Sequence, residues 1–323
     1  MAGCLQMACL TDIPRVMRSV GPLRLAARVW REINDDDLLT WAAAMAYSWL
    51  FAIFPFLIFL LSLLPYMPVA VKDRINTELR TAVFNSIPQE AAQVVWDNIS
   101  FLINRRHTGL MGIGALFTLW AASGGISMSM AAIEKCYELR STSPIYIQRP
   151  KAVLLTLVVA VLTLFILALL PLGTVAIAWV RQHAPEAMGA PLVVLWRQAR
   201  FPVALLLMFI VVHVLYQYGP AIRQRWTFIT PGAVFCVGMW VAMGMGFRFY
   251  VERFGKFNET YGTVGGVAVL LLLFYLYALV LLAGAEINSE IDFEITGAPR
   301  GSTDFRIRRA AAPAPPPPDG QPA

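Results

Sequence analysis

From Gly262 to Ala285 the chain carries no charged residue, and the run leads directly into Glu286, Asn288 and Glu290. Wound as an α-helix at ~1.5 Å per residue, such a stretch crosses a hydrocarbon layer of ~30 Å with length to spare for tilt. A span of this kind restricts the rest of the fold, because lipid offers no partner to a free backbone N–H or C=O. On a wheel of ~100° per residue, Gly262, Gly266, Tyr277, Gly284 and Asn288 fall on one side. Small residues there let a second helix approach closely, where lipid gives no hydrophobic reason to associate. A carboxylate at the bilayer centre costs ~2.5 to 3.5 kcal/mol on insertion scales, so the Glu286–Glu290 end belongs at the interface or in a wet cavity.

With 58% hydrophobic and 14% charged residues, the chain is an integral membrane protein rather than a soluble domain. The repeated charge-poor runs predict an all-α, polytopic protein. Its net charge of +6 lies in short segments between apolar runs, where it serves orientation, so no nucleic-acid partner is expected. Cys4, Cys9, Cys136 and Cys236 are too scattered for a disulfide framework or a zinc cluster. The arginines from Arg15 to Arg31 interrupt any signal-peptide core, so the first span is expected to stay as an anchor.

Six spans are predicted, at about 38–67, 109–132, 152–180, 201–218, 228–250 and 262–285, forming a transmembrane domain over 35–295. Before it, residues 1–34 are read as a cytoplasmic segment. Its Leu23–Ile33 stretch groups Leu25, Val29, Trp30 and Ile33 against Arg24, Arg28 and Arg31, as in a helix lying on the inner leaflet. Asn34, Asp35, Asp36 and Asp37 are expected to cap the first span. Within that span Pro55 removes a backbone donor and frees the Phe51 carbonyl, while Ala42 and Ala46 offer a contact face. Residues 68–108 turn amphipathic, with capping-box spacing at Ser86-Ile87-Pro88-Gln89, and predict two short interfacial helices on the outer face. The second span sets Gly109, Gly112, Ser123 and Ser127 on one side, and the fifth repeats Gly238, Ala242 and Gly246 at four-residue spacing. The proline-rich tail, 296–323, is read as disordered and cytoplasmic. Six spans place both ends on one side. Lysine and arginine lean towards that side being the cytoplasm, with Arg105 and Arg106 opposing.

Catalytic motifs are missing from the sequence. His107, His183 and His213 lie in three segments, so no metal site is expected, and there is neither a Gly-x-Ser-x-Gly elbow nor a phosphate-binding loop. No cofactor and no enzymatic activity are therefore expected. A polar path is the alternative use of the intramembrane polar groups: His213, Tyr216 and Gln217 on the fourth span, Glu134 beyond the second, and Glu286 and Asn288 on the sixth. Each also has a structural reading, as a hydrogen-bonded core group or a solvated helix end.

Three stretches carry a family resemblance. Ala42-Ala43-Ala44-Met45-Ala46-Tyr47 is followed by Pro55; Leu119-Trp120-Ala121-Ala122-Ser123-Gly124-Gly125 closes the second span ahead of Ile133–Tyr137 and Arg149-Pro150-Lys151. The third runs through Pro220, Arg225-Trp226 and Pro231-Gly232-Ala233 to Tyr261-Gly262, Gly265, Tyr275 and Gly284-Ala285-Glu286-Ile287-Asn288. Over about 30–295 the chain resembles the YihY/BrkB family of bacterial inner-membrane proteins, departing from it at Leu273 and Tyr277. The resemblance implies six helices in the inner membrane with both ends cytoplasmic. It brings labels of virulence factor, serum resistance and ribonuclease, the last without a zinc site here to rest on. Two functions fit: a transporter or exporter of a small solute or lipid, or a non-catalytic envelope factor acting through protein partners.

Overall fold

The structure, a computed structural model, describes residues 21–66, 69–86, 89–104, 108–139, 145–183, 186–222, 229–254 and 257–296. The N-terminal residues before 21 and the proline-rich tail read as disordered lie outside the described residues. Among the described residues there are nine α-helices and no strand: α1 (Pro22–Asp35), α2 (Leu38–Leu63), α3 (Val69–Ser86), α4 (Gln89–Asn104), α5 (Thr108–Cys136), α6 (Ile145–His183), α7 (Glu186–Tyr218), α8 (Pro231–Phe254) and α9 (Phe257–Thr296). A short 3-10 turn, Leu64–Tyr66, ends α2.

Six of these helices form a ring in which each packs on the next. Helix α9 contacts α2, α2 contacts α5, and the order continues through α6, α7 and α8 back to α9, with α5 also reaching α9. The shared interior is built from Leu38, Ala42 and Met45 of α2, Met130 and Ile133 of α5, and Ala278, Leu281, Leu282 and Ala285 of α9. The outer surface is equally apolar. Phe165, Leu206, Val234, Met245, Phe249 and Leu272 are exposed, which is the pattern of a bundle whose solvent is lipid.

Five helices are long and apolar enough among the described residues to cross a membrane, in the segments Leu38–Leu57, Tyr146–Leu167, Val194–Tyr218, Pro231–Tyr250 and Gly265–Glu294. The second predicted span falls on α5, which is not among the five. Its central stretch holds Ser123, Gly124, Gly125, Ser127 and Ser129. Of these, Ser123, Gly125 and Ser129 face neighbouring helices: the two serines are fully buried, each bonded to a carbonyl of its own helix, and Gly125 lies against Trp49. The stretch expected to be two short helices does contain two, α3 and α4, packed on each other and on α6 and α2 respectively. There the Arg80 guanidinium stands 5.7 Å from the Phe84 ring and 5.9 Å from that of Trp96.

Two local conformations fix how the chain enters the bundle. Helix α1 starts at Gly21, whose φ of 78° suits glycine, with Pro22 in its first turn. At the corner into α2, Asp37 adopts a φ of 51° and its carbonyl accepts the N–H groups of Thr40 at 2.9 Å and Trp41 at 3.2 Å. The expected acidic cap is not what forms. Asp36 turns its carboxylate to Lys135 of α5 at 3.0 Å instead. Because a non-glycine residue in the left-handed region costs ~1 kcal/mol, Asp37→Gly is expected to leave thermal stability unchanged or slightly higher, and Asp37→Val to lower it. Thermal unfolding in detergent reads the difference, and equal losses in both variants would show that the aspartate side chain matters rather than its backbone.

Candidate functional site

Most of the buried charged groups collect at one end of the ring, where α2 and α6 begin and α5, α7 and α9 end. Glu134 is buried there, and its Oε1 accepts the Ala221 N–H at 3.0 Å. Facing it, Lys151 of α6 donates Nζ to the carbonyls of Gly219 at 3.2 Å and Pro220 at 3.0 Å. Burial raises the Glu134 carboxyl above its ordinary range, opposed by the Ala221 N–H and the Lys151 charge. Together these two side chains secure the bend by which the chain leaves α7.

A second cluster sits between α1, α2, α5 and α9. Glu286 is 1% exposed; its Oε1 takes a long bond from Ser289 Oγ at 3.4 Å, and its Oε2 has no hydrogen-bond partner among the described residues. Asp36, Glu32 and Glu290 are near enough for their charges to act on it, and the Cys136 thiol lies alongside. Asp36 keeps one oxygen, Oδ2, buried without a partner while its other oxygen holds Lys135. Among the described residues no three His, Cys, Asp or Glu side chains converge as metal ligands.

Two of the remaining polar candidates, Tyr216 and Asn288, form helix joints. Tyr216 donates its hydroxyl to the Leu281 carbonyl at 2.6 Å. Asn288 accepts the Gly232 N–H at 2.8 Å and donates to Thr230 Oγ1 at 3.3 Å, so it caps the start of α8 from a neighbouring helix. His213 is buried with its ring stacked on Phe209 at 6.2 Å, and Gln217 is half-buried one turn further on.

Small residues sort in the same way. At Gly284, a Cβ would strike the Tyr216 hydroxyl and come within 2.7 Å of the Gly232 carbonyl; at Gly232, it would strike the Gly284 carbonyl. Here the backbones of α8 and α9 approach too closely for a side chain between them. Gly266, expected on the same contact face, has open space around it, as do Gly238 and Gly246 of α8. The surroundings of Gly262 and Gly112 lie outside the described residues. Ala42 and Ala46 are buried in the core. Near Pro55, Thr118 donates to the Pro55 carbonyl at 3.0 Å.

Several of these contacts were not read from the sequence: Gly232, Lys151, the Asp36–Lys135 pair, and Gly125, where Trp49 closes to 3.2 Å of a Cβ position. Another is the reciprocal bond between α8 and α9, in which Trp240 Nε1 donates to the Tyr277 carbonyl at 3.0 Å and Tyr277 returns its hydroxyl to the Trp240 carbonyl at 3.3 Å.

A lateral cleft of about 270 Å³ opens elsewhere, between α2, α5, α6 and α9. Trp49, Phe56, Gly125, Thr156, Ala160 and Phe274 are among its walls. The Thr156 hydroxyl is bonded to the Ala152 carbonyl at 2.6 Å, so it presents mostly its methyl character to the hollow. None of His213, Tyr216, Gln217, Glu134, Glu286 or Asn288 lines the cleft.

A ring of apolar helices with an apolar exterior, a lateral cleft and its charges gathered at one end defines a multi-pass integral membrane protein. Residues 29–305 match the profile of the Virulence factor BrkB family, and the chain belongs to that family. It is 32% identical over 250 residues to the ribonuclease-like protein YfkH of Bacillus subtilis, covering 77% of this chain and 88% of that one. It is 26% identical over 274 residues to a UPF0761 membrane protein of Tolumonas auensis, covering 83% and 85%. A UPF0761 membrane protein of Xanthomonas campestris is 25% identical over 273 residues, covering 81% of this chain and 59% of the longer relative. No solved structure matches the chain.

Proposed function

We propose that the protein is a six-span transporter or exporter in the bacterial inner membrane, with both termini cytoplasmic, and that its cargo is a lipid or a small apolar solute. The lateral cleft carries this reading: a hollow with apolar walls, opening sideways between helices that fit the bilayer, takes its occupant from the membrane rather than from water. Helix α5 is the sixth span, its Ser123, Gly125 and Ser129 buried against neighbouring helices. A polar solute finds less support, since Tyr216 and Asn288 are spent on helix joints and Glu134 on the α7 bend. No catalytic role is assigned to His213 or Glu286.

Filling the cleft tests the proposal. Of the lining positions, Gly125 is already tight against Trp49, whereas Ala160 lines the hollow from α6, so Ala160→Trp adds bulk inside it. Purified protein in liposomes is expected to move fluorescent lipid between leaflets, and Ala160→Trp to slow that movement at least about tenfold while keeping a monodisperse, folded protein. Wild-type protein that stays folded yet moves no lipid or apolar solute across a broad panel would reject transport and favour an envelope factor acting through partners.

A further inference from the structure

Helix α1 has two working faces, and among the described residues only one is packed against the rest of the protein. Val29 is buried, Leu25 and Ile33 are half-buried, and the Arg28 guanidinium meets Glu294 of α9 at 3.2 Å. Together these fasten α1 to the polar end of α9. The opposite side is bare: Leu23 is 85% and Trp30 69% exposed, with Ala26 and Ala27 exposed between them. At ~100° per residue these four share a sector of about 100°, and Arg24 and Arg31 border it. The sequence alone places Trp30 with Val29 and Ile33; the fold separates them, sending Val29 and Ile33 to the bundle and Trp30 outward.

We infer that this bare face binds anionic phospholipid headgroups, with Leu23 and Trp30 in the boundary layer and Arg24 and Arg31 on phosphates. The inference stands apart from any transport through the cleft. Two observations select the occupant. The corner Asp36–Asp37 separates α1 from Leu38, the first residue of a membrane-crossing segment, so α1 has no length of chain with which to leave the membrane surface. One rim of the apolar strip is cationic, and on that side Asp35 is outnumbered by Arg24 and Arg31, Arg28 being held by Glu294. A tryptophan flanked by arginines at such a depth is the usual anchor of an interfacial helix, and each arginine near an anionic surface adds to the attraction. Because Arg28 holds Glu294, lipid bound to α1 also braces the end of α9 that carries Glu286 and Glu290.

The test is amide hydrogen exchange of residues 22–35 in the full-length protein, reconstituted in nanodiscs of phosphatidylcholine alone or with added phosphatidylglycerol. Phosphatidylglycerol is expected to slow exchange of α1 about tenfold. The double variant Arg24→Gln, Arg31→Gln should lose that lipid dependence with an unchanged thermal midpoint, both side chains being exposed; Glu294→Gln should retain it. Equal exchange of wild-type α1 in the two lipids would overturn the assignment, as would a phosphatidylglycerol effect that survives in the double variant. So would protection that follows protein concentration, which would mark a second copy as the occupant.

Discussion

Replacing Gly284 by alanine is expected to part α8 from α9 and to leave little folded protein. The added methyl has nowhere to go: it meets the Tyr216 hydroxyl, the Gly232 carbonyl at 2.7 Å and Cys236 Cβ at 3.3 Å. A side chain can rotate aside, but the Gly232 carbonyl belongs to a helix backbone and moves only if α8 moves. That displacement also pulls on the Asn288 cap of α8 and on the Tyr216 bond to Leu281, since all three meet at this joint. Several coupled losses of ~1 kcal/mol or more each, plus the steric term, put the cost above roughly 3 kcal/mol. Gly232→Ala should behave the same way, because its methyl strikes the Gly284 carbonyl. Gly266→Ala and Gly238→Ala are the controls. Both positions are open, and alanine is the better helix former by about 0.5 to 1 kcal/mol, so these variants should match or exceed wild type. Monodisperse yield and thermal midpoint in detergent read all four; a Gly284→Ala protein as stable as Gly266→Ala would remove the joint from the account.

The contrast between those glycines explains how much the sequence could reveal. Charge-free length is visible in one dimension, so the helices beginning at Leu38 and Pro231, and the long one through Gly265–Glu294, are legible from composition alone. Orientation of a face is not. In water, polarity separates the inner side of a helix from the outer, but in lipid both sides are apolar, and Gly238-Ala242-Gly246 carries the same spacing whether it meets a helix or acyl chains. In this fold it meets neither α7 nor α9 closely, and the true joint lies at Gly232, beside the proline that opens α8. Helix α5 shows the converse. Packed against α2, α6 and α9 on one side and exposing Phe117 and Trp120 on the other, it holds Ser123 and Ser129 in its contact faces with their hydroxyls bonded to its own carbonyls. The polar candidates were recognisable as residues that oil rejects, but the ways they are satisfied were not. Asn288 reaches Gly232, and Glu134 reaches Ala221, across separations no local pattern encodes.

Glu134→Leu is expected to be the most damaging single change at the charged end. It removes the acceptor for the Ala221 N–H and withdraws the negative charge that acts on Lys151, while leaving both donors buried or half-buried. An orphaned N–H costs ~1 to 3 kcal/mol, and Lys151, half-buried, keeps its two carbonyl acceptors while losing the facing charge, so a loss of roughly 1 to 3 kcal/mol follows. Glu134→Gln keeps an acceptor of the same reach and should lose much less. The two side chains also separate in their response to pH. Burial lifts the Glu134 carboxyl in the folded protein above its ordinary 4.5, so below that value both folded and unfolded chains hold the proton and the full contribution of the raised group is present. As pH rises through the interval between the ordinary and the raised value, the unfolded chain has already released its proton and the folded chain is forced to follow. Stability is lost across that interval and levels off above it. Glutamine does not titrate. Wild type should therefore be most favoured relative to Glu134→Gln in acid and lose ground as the pH rises towards neutrality, a trend that parallel thermal unfolding of the two proteins measures. A gap that widens in favour of wild type with rising pH would mean that the carboxylate, held by Ala221 and Lys151, is the stabilised form, and would reverse the sign assigned to its burial.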